Sequence, residues 1–351
     1  MANKRVLCAM SGGVDSSVTA RLLLDQGYEV VGVTMLLNAP SEAQSPEVKD
    51  AKSVAHTLGI EHICVDYRNL FEQRVMHPFC QAYCDGLTPN PCIECNKYLK
   101  FEALQQLRAE MGFDYVATGH YAQVRYSDTH DRFELYRAAD PAKDQSYVLY
   151  HLSQEYLAHT LFPLGGYTKT EVRSLAQEAG FANAQKAESQ DICFIPSGDY
   201  ASFIESFQGY IPKEGPIVTS DGKQLGTHKG LLHYTIGQRK GLGVAVGEPL
   251  FVLRKDTQKN ALVVGQASEA NQTIVEANQV VFPSCDDIDP EVSLEAKINY
   301  RARMRSVHAN YHEGIMSVYF DEPLRAAAPG QALVLYEGDR VVAGGTIVGA
   351  R

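Results

Sequence analysis

Two groups of residues in this 351-residue chain carry chemistry that a folded core does not require. The first is Ser11-Gly12-Gly13-Val14-Asp15-Ser16-Ser17, which follows a short apolar run and opens a stretch with helical spacing. Glycines let a backbone approach phosphate closely. A helix start adds unpaired N–H donors at the positive end of its dipole. Ser11, Ser16 and Ser17 contribute hydroxyl donors, and Asp15 is a carboxylate suited to holding Mg2+ on a polyphosphate. The lysine of the nucleotide-hydrolysing pattern G-x-x-x-x-G-K-S/T is missing. A clamp on the γ-phosphate is therefore not expected. A site that grips the β- and γ-phosphates together as a leaving group fits better: it cleaves ATP between α and β and passes AMP to an acceptor oxygen.

The second group is a set of cysteines. "LTPNPCIECNKYLKF", residues 87–101, places Cys92 and Cys95 in a loop entering a helix, with Lys97 and Lys100 close behind. A cysteine at a helix start beside positive charge is expected to have a lowered pKa and more thiolate. C-x-x-C by itself fits a zinc half-site, a redox pair or coincidence, and no second C-x-x-C follows. Far along the chain, "ESQDICFIP" presents Cys193 between Asp191 and Pro196. Cys8 and Cys64 lie in apolar runs and read as small buried hydrophobes, as do Cys80, Cys84 and Cys285.

These residues need elements to hold them. Residues 5–10 and "YEVVGVTMLL" read as buried strands, "DSSVTARLLLDQG" and residues 46–58 as helices, and "EHICVDY" as a third strand. Residues 69–84 and 96–111 look helical, "DYVATGHYA" is a fourth strand ending in a Gly-His-Tyr turn, and "YTKTEVRSLAQEAG" is a capped helix. Strands alternating with helices imply a doubly wound parallel sheet. After about residue 207 the helical periods fade into short alternating runs rich in Gly and Pro. The fold expected is α/β: a doubly wound catalytic domain over 1–207, a small β-rich central domain over 208–278 and a C-terminal β-barrel over 279–351.

Composition is that of an ordinary globular protein, with 45% hydrophobic and 21% charged residues. No apolar run approaches the roughly 20 residues that span a bilayer, and Lys4-Arg5 leads almost directly into the phosphate loop, so a cytoplasmic location with no membrane partner is expected. Net charge is −10, which argues against bulk electrostatic binding of nucleic acid. Local basic patches run the other way. Residues 228–259 hold six Lys/Arg against two acids, and "YRARMRSVH" carries Arg301, Arg303 and Arg305 at a spacing that puts them on one face of a strand.

The glycine loop resembles the PP-loop signature of the N-type ATP pyrophosphatases, which adenylate a carbonyl oxygen so that a nucleophile can replace it. "AMSGGVDSS", "PNPCIECNKYLKF", "ATGHYA", "KDQSYVL", "SQDICFIP" and "YTIGQRKGLG" together resemble the tRNA-specific 2-thiouridylase family, in one order and over nearly the whole chain. That resemblance implies conversion of C2=O of the wobble uridine, U34 of the tRNA anticodon stem-loop, to C2=S with ATP and Mg2+. It implies that Ala9, Met10, Ser11, Gly12, Gly13, Val14, Asp15 and Ser16 line the triphosphate, with Met35 at the adenine and Gly119 on ATP. It implies that Asn90, Pro91 and Cys92 touch the target base, and that Lys143, Asp144, Gln145, Tyr300 and Arg301 contact tRNA.

Cys193 would receive sulfur as a persulfide from a sulfur-carrier protein or cysteine desulfurase, and Cys95 would be its partner thiol in a transient Cys95–Cys193 disulfide. Because some family members lack a cysteine where Cys92 stands, a second mechanism stays open, in which Cys92, Cys95 and Cys193 hold a 4Fe–4S cluster whose open iron carries sulfide. Two rival readings are another PP-loop adenylating enzyme and a non-enzymatic sulfur or iron–sulfur carrier with a regulatory nucleotide site. Asp144 is alternatively an aid to Mg2+ or proton transfer, and His120 either a general base or a hydrogen-bonded structural histidine.

Overall fold

A computed structural model describes residues 3–186, 192–244 and 247–351. The N-terminal part carries seven strands: β1 (Arg5–Ala9), β2 (Glu29–Leu36), β3 (Glu61–Asp66), β4 (Tyr115–Ala117), β5 (Ala122–Ser127), β6 (Arg132–Arg137) and β7 (Thr160–Leu161). Five of them form a parallel sheet in the order β3-β2-β1-β4-β7. Helices cover both faces of such a sheet, which is why β1 reads as an unbroken apolar run: Val6, Leu7 and Cys8 are all fully buried. The chain reverses its winding direction between β1 and β4. Ligands of open α/β sheets bind at the carboxyl ends of the strands flanking such a point.

Local chemistry fixes the helix ends. The helix after β1, α1 (Val14–Asp25), starts at Gly13. The next, α2 (Pro46–Leu58), has Ser45 accepting a hydrogen bond from Val48 N, Pro46 in the first turn and Gly59 in the left-handed conformation beyond its end. Residues 68–84 are helical, with a π-wound stretch over Glu72–Met76. The following helix begins at α3 (Pro91–Cys95), five residues before the expected start. It continues through π-wound Asn96–Ala103 into Leu104–Glu110. Cys92 and Cys95 therefore stand on a helix and not in the loop before it. The early start follows from Asn90, whose Oδ1 accepts from Cys92 N at 3.1 Å, and from Pro91 in the first turn.

The fourth strand is only three residues long; residues 118–121 leave it, and β5 starts afresh at Ala122. A short helix over Gln154–Ala158 and two longer ones, α4 (Lys169–Glu178) with a Thr168/Glu171 capping box and α5 (Tyr200–Gln208), follow.

The central region is a four-stranded sheet in the order β10 (Phe251–Asp256), β11 (Ala261–Gly265), β8 (Gly215–Thr219), β9 (Gln224–His228), wrapped on Ile217, Leu262 and Val264. The C-terminal strands β12 (Gln272–Val281), β13 (Leu294–Lys297), β14 (Arg305–His312), β15 (Ile315–Leu324), β16 (Ala332–Glu337) and β17 (Arg340–Ala350) run β12-β15-β14-β13-β16-β17. The pairing of β12 with β17 closes them into a barrel. Closure removes the exposed sheet edges. Its interior is Val275, Ala277, Met316, Val318, Leu333 and Leu335.

The barrel is joined to the N-terminal part by the β5–β6 hairpin, whose Tyr136 pairs with Arg340 of β17. Leu135 N donates to Ser284 Oγ at 2.9 Å, and Gln154 Nε2 donates to Pro283 O at 2.6 Å.

Candidate active site

The phosphate loop spans the turn from β1 to α1. Gly12 is left-handed at φ 68°, and a Cβ there would meet Glu47 O at 2.6 Å, so only glycine fits against the start of α2. Ser16 Oγ accepts from Ser11 N at 3.1 Å and donates to Gly13 O at 3.1 Å; Ser17 Oγ donates to the same carbonyl at 2.9 Å. These hydroxyls shape the loop from within. Gly119, just past β4, packs against it: a Cβ would meet Ser16 N at 2.9 Å and the carbonyl carbon of Asp15 at 3.0 Å. The two glycine signals, more than a hundred residues apart, thus meet across the switch point. Met10 and Val14 turn their side chains into the core, leaving only their backbone on the loop, while Ala9 and Met35 are half-buried.

Residues that the sequence did not single out complete this half of the site. Tyr121 OH donates to Asp15 Oδ1 at 2.8 Å, and Lys169 Nζ binds both Asp15 oxygens at 2.7 and 2.8 Å. Asn183 Nδ2 donates to Gly12 O at 3.1 Å and to Ser17 Oγ at 3.0 Å. Lys186 Nζ pairs with Asp50 at 2.6 Å and reaches Gly12 O at 3.5 Å. Three of these four come from beyond residue 160, and only the missing loop lysine hinted that a cation must arrive from elsewhere.

The thiols form the other half. Cys193 interacts electrostatically with both Cys95 and Cys92, so residues a hundred positions apart converge. Their neighbours pack together as well: Phe194 and Ile195 share one apolar cluster with Cys95 and Leu99, and the Phe194 ring meets Phe71 and Phe79. Cys92 and Cys193 are exposed and Cys95 is buried. Burial raises all three thiols, carrying Cys193 up to about 11, and Lys100 opposes the rise at each. The expected lowering by the helix start is thus overturned by desolvation. Lys97 does not help either; it lies over the Tyr98 ring at 5.0 Å and acts on Glu94 and His151.

Among the described residues, no three His, Cys, Asp or Glu side chains are grouped to hold a metal ion. An iron–sulfur cluster would bind these cysteines as thiolates, releasing their protons as it formed. Glu188 and Asp191 of the Cys193 motif lie outside the described residues.

Of the remaining candidates, Asn90 is spent on its cap and Pro91 is buried. His120 shares a 2.7 Å hydrogen bond with Thr118 Oγ1 and is buried, which holds its pKa well below the usual value; it is a neutral, partnered histidine. Asp144 is also buried. Its carboxylate accepts from Ala138 N, Ser146 N and Ser146 Oγ at 3.1, 3.2 and 3.0 Å and so shapes a turn.

Gln145 braces Tyr121 through two hydrogen bonds, its Oε1 accepting from Tyr121 N at 2.9 Å and its N donating to Tyr121 O at 2.8 Å. Lys143 is half-buried beside them. Tyr300 is exposed, beside Tyr147 and beneath Lys297. Arg301, Arg303 and Arg305 are exposed and alternate with half-buried Ala302 and Met304, but only Arg305 lies in a strand.

Three family models cover the chain: "tRNA methyl transferase HUP domain" matches residues 4–197, "tRNA methyl transferase PRC-barrel domain" residues 202–266, and "Aminomethyltransferase beta-barrel domain" residues 273–347. A tRNA-specific 2-thiouridylase MnmA of Carboxydothermus hydrogenoformans is 46% identical over 98% of this chain and 97% of its own length. One of Acetivibrio thermocellus is 42% identical over 99% of this chain and all of its own, and one of Desulforamulus reducens 46% identical over 98% and 97%. With a glycine loop and a thiol cluster held on one scaffold and relatives this similar end to end, the chain belongs to the tRNA-specific 2-thiouridylase family.

Proposed function

We propose that the protein is an ATP-dependent sulfur transferase that makes 2-thiouridine at the wobble uridine of tRNA. Uracil O2 is a poor leaving group. Its attack on the α-phosphorus of ATP expels pyrophosphate and leaves C2 bearing an AMP ester, which departs readily. The chain's part here is positional: Ser11 to Ser16 hold the polyphosphate at the dipole end of α1, with Gly119 closing the opposite wall. Mg2+ bound near Asp15 would neutralise polyphosphate charge, and this carboxylate and the loop hydroxyls fit a hard oxygen-seeking ion.

Sulfur follows a covalent route. Cys193, loaded as a persulfide by a sulfur-carrier protein or cysteine desulfurase, attacks C2 with its terminal sulfur, and AMP leaves. Cys95 thiolate then attacks Cys193 Sγ, forming a Cys95–Cys193 disulfide and releasing the base as the thiocarbonyl. An external thiol reductant returns both cysteines to the resting state. In this reading residues 1–207 do the chemistry, residues 208–278 lie between, and residues 279–351 contact tRNA around Tyr300 and Arg301. The observation that carries it is the meeting of Cys92, Cys95 and Cys193 on the scaffold that also holds the glycine loop.

Cys193→Ala is expected to abolish 2-thiouridine formation while leaving ATP-dependent tRNA adenylation, read as pyrophosphate release in single turnover, within about threefold of the parent. Pyrophosphate release that falls as far as thiolation does would refute the division of labour. Cys95→Ser is expected to block turnover at the loaded intermediate.

A further inference from the structure

The chain enters the phosphate loop from β1 through Met10, and both backbone groups of that residue are held. Met10 N donates to Val33 O at 2.8 Å, and Met10 O accepts from Thr34 Oγ1 at 2.7 Å. Thr34 is buried, so its hydroxyl answers to its neighbours and not to water. A hydroxyl carries one proton. With that proton spent on Met10 O, the 2.8 Å bond between Thr34 Oγ1 and His62 Nε2 is donated by the histidine. The network therefore assigns the tautomer: Nε2 bears the hydrogen, and Nδ1 is a bare acceptor. A hydroxyl that accepts from His62 is fixed in rotation toward Met10 O and donates the more strongly for it.

His62 belongs to β3, the edge strand of the parallel sheet, and reaches Thr34 across β2. Gly32 makes room for the crossing. It pairs with Cys8 of β1 on one side and with His62 on the other, and a Cβ there would fall 2.6 Å from Met10 Sδ and 3.1 Å from His62 Cδ2. The Nδ1 atom of His62 is buried and finds no partner among the described residues. A buried acceptor without a donor is costly, and a histidine kept only to fill space would be better replaced by an apolar side chain. Burial lowers the His62 pKa, with the Lys52 ammonium adding to the effect and Glu42 opposing it. The ring is thus neutral at neutral pH, the form in which one nitrogen donates to Thr34 and the other goes unused.

We propose that His62 is a positioning residue for nucleotide binding: through Thr34 it fixes the Met10 carbonyl, and with it the direction in which the chain enters Ser11 and the phosphate loop. The inference rests on the reading of this loop as an ATP site and adds to it a relay from the sheet edge, His62 to Thr34 to Met10. Nothing local in the sequence marks that relay, since Thr34 and His62 both stand in apolar runs that read as plain buried strands.

The test is calorimetric binding of α,β-methylene-ATP with Mg2+ to the full-length protein, at a temperature where the melting curve of each variant shows it folded. His62→Leu, which fills the space but cannot donate, is expected to bind at least about threefold more weakly. His62→Gln, whose Nε2 donates from nearly the place of the ring nitrogen, should bind within about twofold of the parent. Thr34→Val should lose at least as much as His62→Leu. Because the relay is serial, the double variant of His62→Leu and Thr34→Val should bind no more weakly than Thr34→Val alone. A histidine that merely packs the sheet predicts the opposite: Gln no better than Leu, and losses that add. Either result overturns the proposal, as does a loss smaller than about threefold in His62→Leu. Should His62→Leu fail to fold, His62→Asn takes its place, because its shorter amide stops near the Nδ1 position and cannot reach Thr34. If the parent itself fails to bind the nucleotide, the ATP-site reading falls and this inference with it; if the parent binds and His62→Leu binds alike, only the inference falls.

Discussion

The thiol of Cys193 is exposed yet pushed up to about 11, first by burial and then by Cys95 and Cys92. Those two facts are compatible on the wall of a cleft, where a small reagent reaches the sulfur but bulk water does not surround it. At pH 7 only about one molecule in ten thousand then carries the thiolate. A thiol held in this form reacts slowly, and in the proposed mechanism loading with sulfur is the step that arms it. Iodoacetamide labelling of Cys193, followed by peptide mass spectrometry, should be slow at pH 7 and rise about tenfold per pH unit until pH approaches 11. A labelling rate already flat at pH 8 would contradict it. Lys100 opposes the rise, so Lys100→Gln should slow labelling further at every pH below the midpoint. Cys8 and Cys80, each raised to about 12 in the core, should stay unlabelled until the protein unfolds.

At the scale of elements, the site is the meeting of two turns, and Gly119 is where they touch. A methyl at Gly119 would fall 2.9 Å from Ser16 N and 3.0 Å from the carbonyl carbon of Asp15, both backbone atoms that cannot swing aside. Gly119→Ala should push the end of β4 away from the loop, lowering nucleotide affinity at least about tenfold and costing about 1–3 kcal/mol of stability. A calorimetric titration together with a denaturant melt reads both, and an alanine variant with parental affinity would show that the turns have room to part.

This contact also marks how far the sequence could be read. The strand–glycine turn–helix unit was legible because each part is local: an apolar run, glycines, then helical spacing. The alternation of strands and helices was legible for the same reason, and so were the paired cysteine motifs. What escaped were side chains whose role depends on distance in space. Lys169, Asn183 and Lys186 have no local mark, and nothing beside Asp144 in the sequence shows that its carboxylate binds Ser146 and Ala138 N. The hairpin that joins the barrel, β5–β6, carries no local mark of that role, because its link to β17 is one register pair and a few hydrogen bonds.

For the whole molecule the governing quantity is charge. A protein of net charge −10 is repelled by RNA at long range, so the proposed tRNA binding would have to come from locally basic residues. The barrel and the N-terminal part share an apolar cluster that includes Phe101, Tyr147, Val334 and Tyr336, and two further connections stand beside it. The hairpin fastens the barrel to the catalytic part, and Thr88, two residues before the Asn90 cap, donates through its N to Pro329 O at 2.8 Å while its O accepts from Gln331 Nε2 at 2.9 Å. The barrel thus holds the loop that leads into the Cys92–Cys95 helix, and in the proposed reading an RNA on Arg301 and Arg303 would lie on the domain that holds it. Each exposed arginine that neutralises a phosphate should contribute about one counterion to the salt dependence. Arg301→Ala and Arg303→Ala are therefore each expected to weaken tRNA binding several-fold at low salt and to flatten the plot of log affinity against log salt by about one. Affinity for α,β-methylene-ATP should remain that of the parent, because the proposed nucleotide contacts come from the N-terminal part of the chain. If the slope stays unchanged in the double variant, RNA does not cross this face, and the patch of residues 228–259 becomes the place to look. If nucleotide affinity falls together with tRNA affinity, the two halves are coupled more tightly than the Thr88 contact alone accounts for, and Gln331→Ala, which cuts the bond to Thr88 O, should then lower both.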